Sequence, residues 1–114
     1  MNDRAVDIAI IGAGTAGMAA YRKARERTDR LALIEGGEYG TTCARVGCMP
    51  SKLLIAAAET AHHVGRASVF GIAVDDGGWR VDGPAVMERV RRERDRFVAG
   101  VLKGVDSIPE DQRI

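Results

Sequence analysis

The sequence predicts an α/β fold: a βαβ unit with parallel strands, then a cysteine-bearing helix and a long amphipathic helix. Three observations carry this expectation. Residues 5–11, AVDIAII, are short, almost continuously apolar and rich in β-branched side chains, as in a strand buried on both faces. A helical pattern follows, and then a second apolar run at 30–35, RLALIE. Strand, helix and strand within ~30 residues form a βαβ unit, which is right-handed in nearly all cases.

Each element has its own signature. From residue 14 or 15 to about 27 the pattern is helical, with Met18, Ala19, Tyr21 and Ala24 facing the sheet and Arg22, Lys23, Arg25 and Glu26 facing water. Gly36 and Gly37 end the second strand. SKLLIAAAETAHH, 51–63, has high helix propensity, with Ser51 near its start. VFGIAV, 69–74, reads as a strand or a buried loop, and residues 75–78, DDGG, as a turn. Pro84 suits a first helical position. The helix it opens runs to about 104, with Val86, Val90, Phe97 and Val101 at helical spacing and Met87, Val98 and Leu102 beside them. A third strand is expected near the terminal SIPEDQRI, since two parallel strands do not make a doubly covered sheet. The domain therefore reads as incomplete.

Bulk composition narrows the function. The 114 residues are 46% hydrophobic and 29% charged, with net charge +1, so no global footprint for nucleic acid or an anionic membrane is present. No apolar run approaches the ~20 residues of a membrane span. The N-terminus lacks the pattern of a secretory signal, and the chain reads as cytoplasmic. In a reducing compartment paired cysteines serve catalysis or metal binding more often than structure.

Gly12-Ala13-Gly14-Thr15-Ala16-Gly17 is G-x-G-x-x-G between a strand and a helix, the Rossmann-type dinucleotide fingerprint. Gly12 permits the tight turn, Gly14 lets a pyrophosphate approach the backbone, and Gly17 lets helix and sheet meet closely. The helix N-terminus offers free N–H groups to the phosphates. Glu35, 18 residues after Gly17, is placed to bind an adenosine ribose without a 2′-phosphate. Met18 stands where a P-loop requires Lys. The competing reading is a glycine-rich turn without a ligand.

Cys43 and Cys48 form C-x4-C. On a regular helix their Cα atoms would lie about 8 to 9 Å apart, beyond the ~7 Å a disulfide tolerates. A bond between them needs a distorted backbone. Gly47 can relax it, and Pro50 steers Met49 away from helical angles. Cys48 falls near a helix start, where the dipole favours thiolate, and Lys52 adds positive charge. A strained, reducible disulfide, a metal site with His62 and His63, and two incidental cysteines all remain open. The metal site is a poor pattern, because adjacent helical histidines point ~100° apart.

Carrying both motifs, the sequence resembles the class I pyridine nucleotide–disulfide oxidoreductases over residues 6–52 closely and more loosely beyond. GTTCARVGCMPSK corresponds to the family's usual GGTC-x-N-V-G-C-x-P-S-K, and its PSK ending is like the dihydrolipoamide dehydrogenase and mercuric reductase branches. The resemblance implies a flavoprotein enzyme that binds FAD, with NAD(P)H as co-substrate. Gly12, Gly14 and Gly17 would cradle the pyrophosphate, Glu35 would hold the ribose, and Thr42 would contact the cofactor. Thr15, Ala16, Gly36 and Thr41 complete the implied cofactor-binding set, and Lys52 would lie beside the flavin. Cys43 is implied as the thiol exchanging with substrate and Cys48 as the thiol facing flavin. The implied substrate is a small or protein-bound dithiol or disulfide, and the full-length protein a homodimer.

Thr41 and Arg45 depart from the family pattern, which has Gly and Asn. Arg45 brings a cation close to the thiols, able to support a thiolate or recognise an anionic substrate. Family members are about four times longer. The chain, 1–114, thus reads as the N-terminal part of the FAD domain, without the NAD-binding and interface domains, and no turnover is expected from it alone. The alternative is a non-catalytic dinucleotide-binding module with incidental cysteines. ERVRRERDR, 88–96, carries five arginines and three acids and reads as a solvated helix face with a Glu88/Arg92 pair.

Overall fold

A computed structural model describes residues 4–74 and 78–114. Strand β1 (Ile8–Ile11) and strand β2 (Leu31–Ile34) pair in parallel, with Ile8 opposite Leu31 and Ile11 opposite Ile34. Helix α1 (Thr15–Ala24) makes the crossover and buries Met18 and Tyr21. Ala24 packs at the margin of this core, whereas Ala19, expected against the sheet, is exposed. The chain returns to the far side of β2 at its end: Arg113 bridges Leu33 in parallel, and Ile114 N–H donates to the Leu33 carbonyl at 2.9 Å. The expected third strand is therefore present as a short bridge.

One core gathers Ala13, Met18, Tyr21, Leu31, Leu33, Val105 and Ile108. Buried Gln112 ties it off: its Oε1 accepts from the Tyr21 hydroxyl, and its Nε2 donates to the Asp29 carbonyl at 2.8 Å. β1 differs from the doubly buried strand that its composition predicts. Ile11 is 86% exposed: its neighbour Ile10 packs against the core, so Ile11 stands on the opposite face of the sheet.

The rest of the molecule is a helical hairpin. Helix α2 (Thr42–Arg45) is a single turn, α3 (Cys48–Gly65) carries no buried residue, and α4 (Gly83–Asp106) buries only Val90 and Val105. Asp82 caps α4 by accepting from Ala85 N–H at 3.0 Å, and Pro84 sits in its first turn, one place later than expected. α3 and α4 pack antiparallel: Met49 near the start of α3 lies by Phe97 and Val101, whereas Val64 near its end lies by Asp82 and Val86, and between them Arg89 Nη1 donates to the Leu53 carbonyl at 3.4 Å. The hairpin stretches the molecule to 71 × 25 × 17 Å with a radius of gyration of 21.4 Å. A compact domain of this length would have about 13 Å.

Other expectations need correction. Residues 69–74 are neither a strand nor buried: Ala67–Phe70 form a turn of 3₁₀ helix, and Val69 and Phe70 are more than 70% exposed. They lie at the hairpin's tip, where nothing among the described residues covers them. Residues 75–77 of the expected turn lie outside the described residues. Phe97, expected in the packed stripe of α4, is 46% exposed because it faces a cleft. The arginine face pairs within the helix as Arg92–Glu93, Arg94–Asp95 and Arg96–Glu93 rather than through Glu88.

Candidate functional site: a nucleotide turn beside a dithiol

At the end of β1, Gly12 turns the chain with φ +96°, and its N–H donates to the Ile34 carbonyl at 2.7 Å. Gly14 precedes α1 in extended conformation, and no side chain caps the helix. The N–H groups of Thr15, Ala16 and Gly17 therefore have no acceptor within the helix. A Cβ on Gly14 would meet nothing within 4 Å, so the space above this turn is open. A Cβ on Gly17 would lie 1.7 Å from the Gly12 carbonyl oxygen, so only glycine lets α1 sit this close to β1.

Glu35 leaves β2 beside the turn. Its Oε2 accepts from Ala13 N–H at 2.8 Å, and its Oε1 accepts from Gly37 N–H at 3.0 Å. These bonds, Ala13's foremost, hold its carboxyl below the usual carboxylate range. Open N–H groups at a helix start and a fixed carboxylate at the adjacent strand end fit the pyrophosphate and ribose of an adenine dinucleotide.

The cysteines lie on different helices. Cys43 is in α2, and Cys48 is the first residue of α3; the helix breaks between them at Val46 and Gly47. Gly47 permits the fold-back, since a Cβ there would stand 3.1 Å from the Thr42 carbonyl oxygen and 3.4 Å from Cys43 Cα. Pro50 acts differently from expectation. Met49 and Pro50 are both helical, because in a first turn proline has no N–H to satisfy. Ser51 lies inside the helix, its Oγ donating to the Cys48 carbonyl at 3.1 Å. Both thiols are free. The fold-back sets them close enough to interact: hydrogen bonding with the Cys48 side chain pushes the Cys43 thiol up from the ordinary range, burial adds to this, and Lys52 opposes it weakly. His62 and His63 lie 14 and 15 residues beyond Cys48 along α3, ~20 Å away.

Thr41 introduces α2 with φ +58° and ψ 142°, a conformation that favours glycine, while its hydroxyl oxygen accepts from Ala44 N–H at 3.1 Å. Arg45 turns away from the role expected of it. Its guanidinium donates to the Glu38 carboxylate and, at 3.0 Å, to the Glu38 carbonyl. Its charge is thus engaged by the loop that follows β2.

A cleft of about 360 Å³ joins the two halves. Thr15 from the nucleotide turn, Thr41 and Cys43 from the cysteine segment, and Met49, Phe97 and Val101 line it. Sequence reasoning missed the contribution of α4. The available signal was Gly100 and Gly104, one turn apart, which thin the helix where it nears α1; Gly104 comes within 3.9 Å of Met18 Cε, measured from a built Cβ. It also missed Glu38, which no motif marks.

The fold and site thus define a βαβ unit with a glycine-rich turn of dinucleotide-binding type and two neighbouring thiols. Residues 6–113 match the pyridine nucleotide-disulphide oxidoreductase family, and the chain belongs to it. It is 38% identical over 108 residues to a dihydrolipoyl dehydrogenase of Chlamydia pneumoniae, covering 95% of this chain and 22% of that protein. It is 38% identical over 115 residues to a mercuric reductase of Serratia marcescens, covering 93% and 24%. A mercuric reductase of Shigella flexneri is 41% identical over 113 residues, covering 91% and 19%. The chain thus spans about a fifth to a quarter of the length of these relatives. Among the described residues no helix is long and apolar enough to cross a membrane.

Proposed function

We propose that this chain is the N-terminal part, 1–114, of the FAD-binding domain of an NAD(P)H-dependent disulfide oxidoreductase, with Cys43 and Cys48 as its redox pair. The observation that carries the reading is the fold-back at Gly47, which brings the segments of Cys43 and Cys48 together beside a cleft that Cys43 lines and that also reaches the glycine turn.

In this reading the backbone of Gly12, Gly14, Thr15, Ala16 and Gly17 holds the pyrophosphate, Glu35 and Gly36 hold the ribose, and Thr41, Thr42 and Lys52 complete the cofactor site. FAD, when bound, supplies two-electron exchange with the thiol pair and hydride exchange with nicotinamide. The chain's own chemistry is thiol–disulfide exchange. The Cys43 thiolate attacks a substrate disulfide, forming a mixed disulfide and releasing one substrate thiol. The Cys48 thiolate then attacks the Cys43 sulfur, closing the Cys43–Cys48 disulfide and releasing the second thiol. Substrates are small or protein-bound disulfides and dithiols, the full-length protein is a homodimer, and these 114 residues alone do not turn over.

Titration of the purified full-length protein with FAD tests the reading. Expected are retained FAD and, on reduction, a long-wavelength thiolate-to-flavin absorption band that is lost in Cys48→Ser. A protein that binds no FAD, or a band unchanged in Cys48→Ser, overturns it.

A further inference from the structure

The redox reading leaves open what fixes Cys43 relative to Cys48. α3 is an 18-residue helix packed on α4, so Cys48 sits on an extended, supported element. α2 is four residues long, far below the length at which a helix holds itself together. The position of Cys43 therefore depends on whatever ties α2 down.

Three ties are visible. Ala44 is buried at 5% exposure, and the Thr41 hydroxyl oxygen caps the turn. The third is Arg45, which reaches back seven residues and donates to both the carboxylate and the carbonyl of Glu38. Its methylenes lie over Gly40, where the chain runs at φ +117°; a Cβ built there would stand 3.1 Å from Arg45 Cδ and 3.1 Å from Val98 Cγ1. Arg45 thus closes a loop whose other end is Glu35, itself bonded to the nucleotide turn. The planar guanidinium suits this double grip in a way a lysine ammonium does not.

We infer that Arg45 and Glu38 form a clamp that positions Cys43 for disulfide formation with Cys48. Arg45 is a positioning residue: it acts through the placement of α2 and leaves thiol activation to others. The inference rests on the redox reading of the pair. By holding the thiols together, the clamp raises their effective concentration for one another. Its loss shifts the equilibrium from the internal disulfide toward the dithiol.

The test is equilibration of the protein in buffers of oxidised and reduced glutathione, with alkylation of remaining thiols and counting by mass. In this exchange the protein dithiol and one glutathione disulfide give the internal disulfide and two glutathione thiols. Arg45→Ala and Glu38→Ala are each expected to lower the equilibrium constant about fivefold, with the double variant no worse than either. Glu38 is largely exposed, so its variant guards against misfolding of Arg45→Ala. A purely structural role would lower the unfolding midpoint and leave the equilibrium constant at its wild-type value, and that result overturns the clamp. If wild type forms no internal disulfide in any buffer, the redox reading itself falls, and the clamp with it.

Discussion

The Gly12 carbonyl oxygen occupies the place where a side chain at Gly17 would have to go, 1.7 Å from a built Cβ, whereas at Gly14 the same atom meets open space. Two glycines of one motif thus do different work. Gly17→Ala is expected to destabilise the fold by about 3 kcal/mol, because backbone must move. Gly14→Ala should leave the urea midpoint close to wild type and still abolish dinucleotide binding. Equal effects of the two substitutions on stability would refute this division.

Thr41 is caught between two demands. Its φ of +58° is unfavourable for a β-branched residue, yet its hydroxyl oxygen caps α2. Thr41→Ala keeps the strain and loses the cap, so a loss of about 1 kcal/mol is expected. Thr41→Gly loses the cap but removes strain of roughly 1–3 kcal/mol, offset by roughly 0.5–1 kcal/mol of unfolded-chain entropy. These terms nearly cancel for Gly, so the expected order of thermal midpoints is Gly close to Thr, with Ala lowest.

The Glu35 carboxylate is favoured in the folded state by the N–H groups of Ala13 and Gly37, so its folded pKa lies below its unfolded value near 4.5. A depressed acid contributes stability above the unfolded pKa, and that contribution is lost as pH falls through the folded one. Urea midpoints of wild type should therefore decline below about pH 4.5, and Glu35→Gln should show a flatter profile in that window. Parallel profiles would contradict the assignment.

Cys43 has the opposite sign. Contact with Cys48 favours its protonated form and raises it above the ordinary 9.0, so its contribution to stability is present below the unfolded value and lost as pH rises through the folded one. In Cys48→Ala the contact is gone. Iodoacetamide should then modify Cys43 several-fold faster at pH 8 than in wild type. A rate equal to or below wild type would show that the contact does not set its reactivity.

How much of this was legible in the sequence depends on the range of the interaction. The βαβ unit and its turn could be read because glycine spacing and apolar runs act over a few residues, and Gly17's contact with Gly12 is itself local. The part Gly47 plays between the cysteines was legible for the same reason, although the helices on either side of it were not, and Pro50 was assigned an effect that a first turn does not permit. What escaped reading was distant or relational. Exposure of Ile11 depends on what covers the outer face of β1, and Phe97 faces a cleft formed by four separate segments. Arg45 was read by proximity to the cysteines in sequence, whereas its partner Glu38 lies on the preceding loop.

The absence of any buried side chain in α3 also has a kinetic meaning. Amide protection follows the free energy of local opening, which rises with the apolar contacts an opening must break. The amides of Leu31 and Leu33, in the core with Val105, should exchange with solvent slowest, and those of α3 among the fastest of any helix. Opening would run inward from the hairpin's uncovered tip, so Cys48, in the first turn of α3 where it packs beside α2 and α4, would be the last part of that helix to be released.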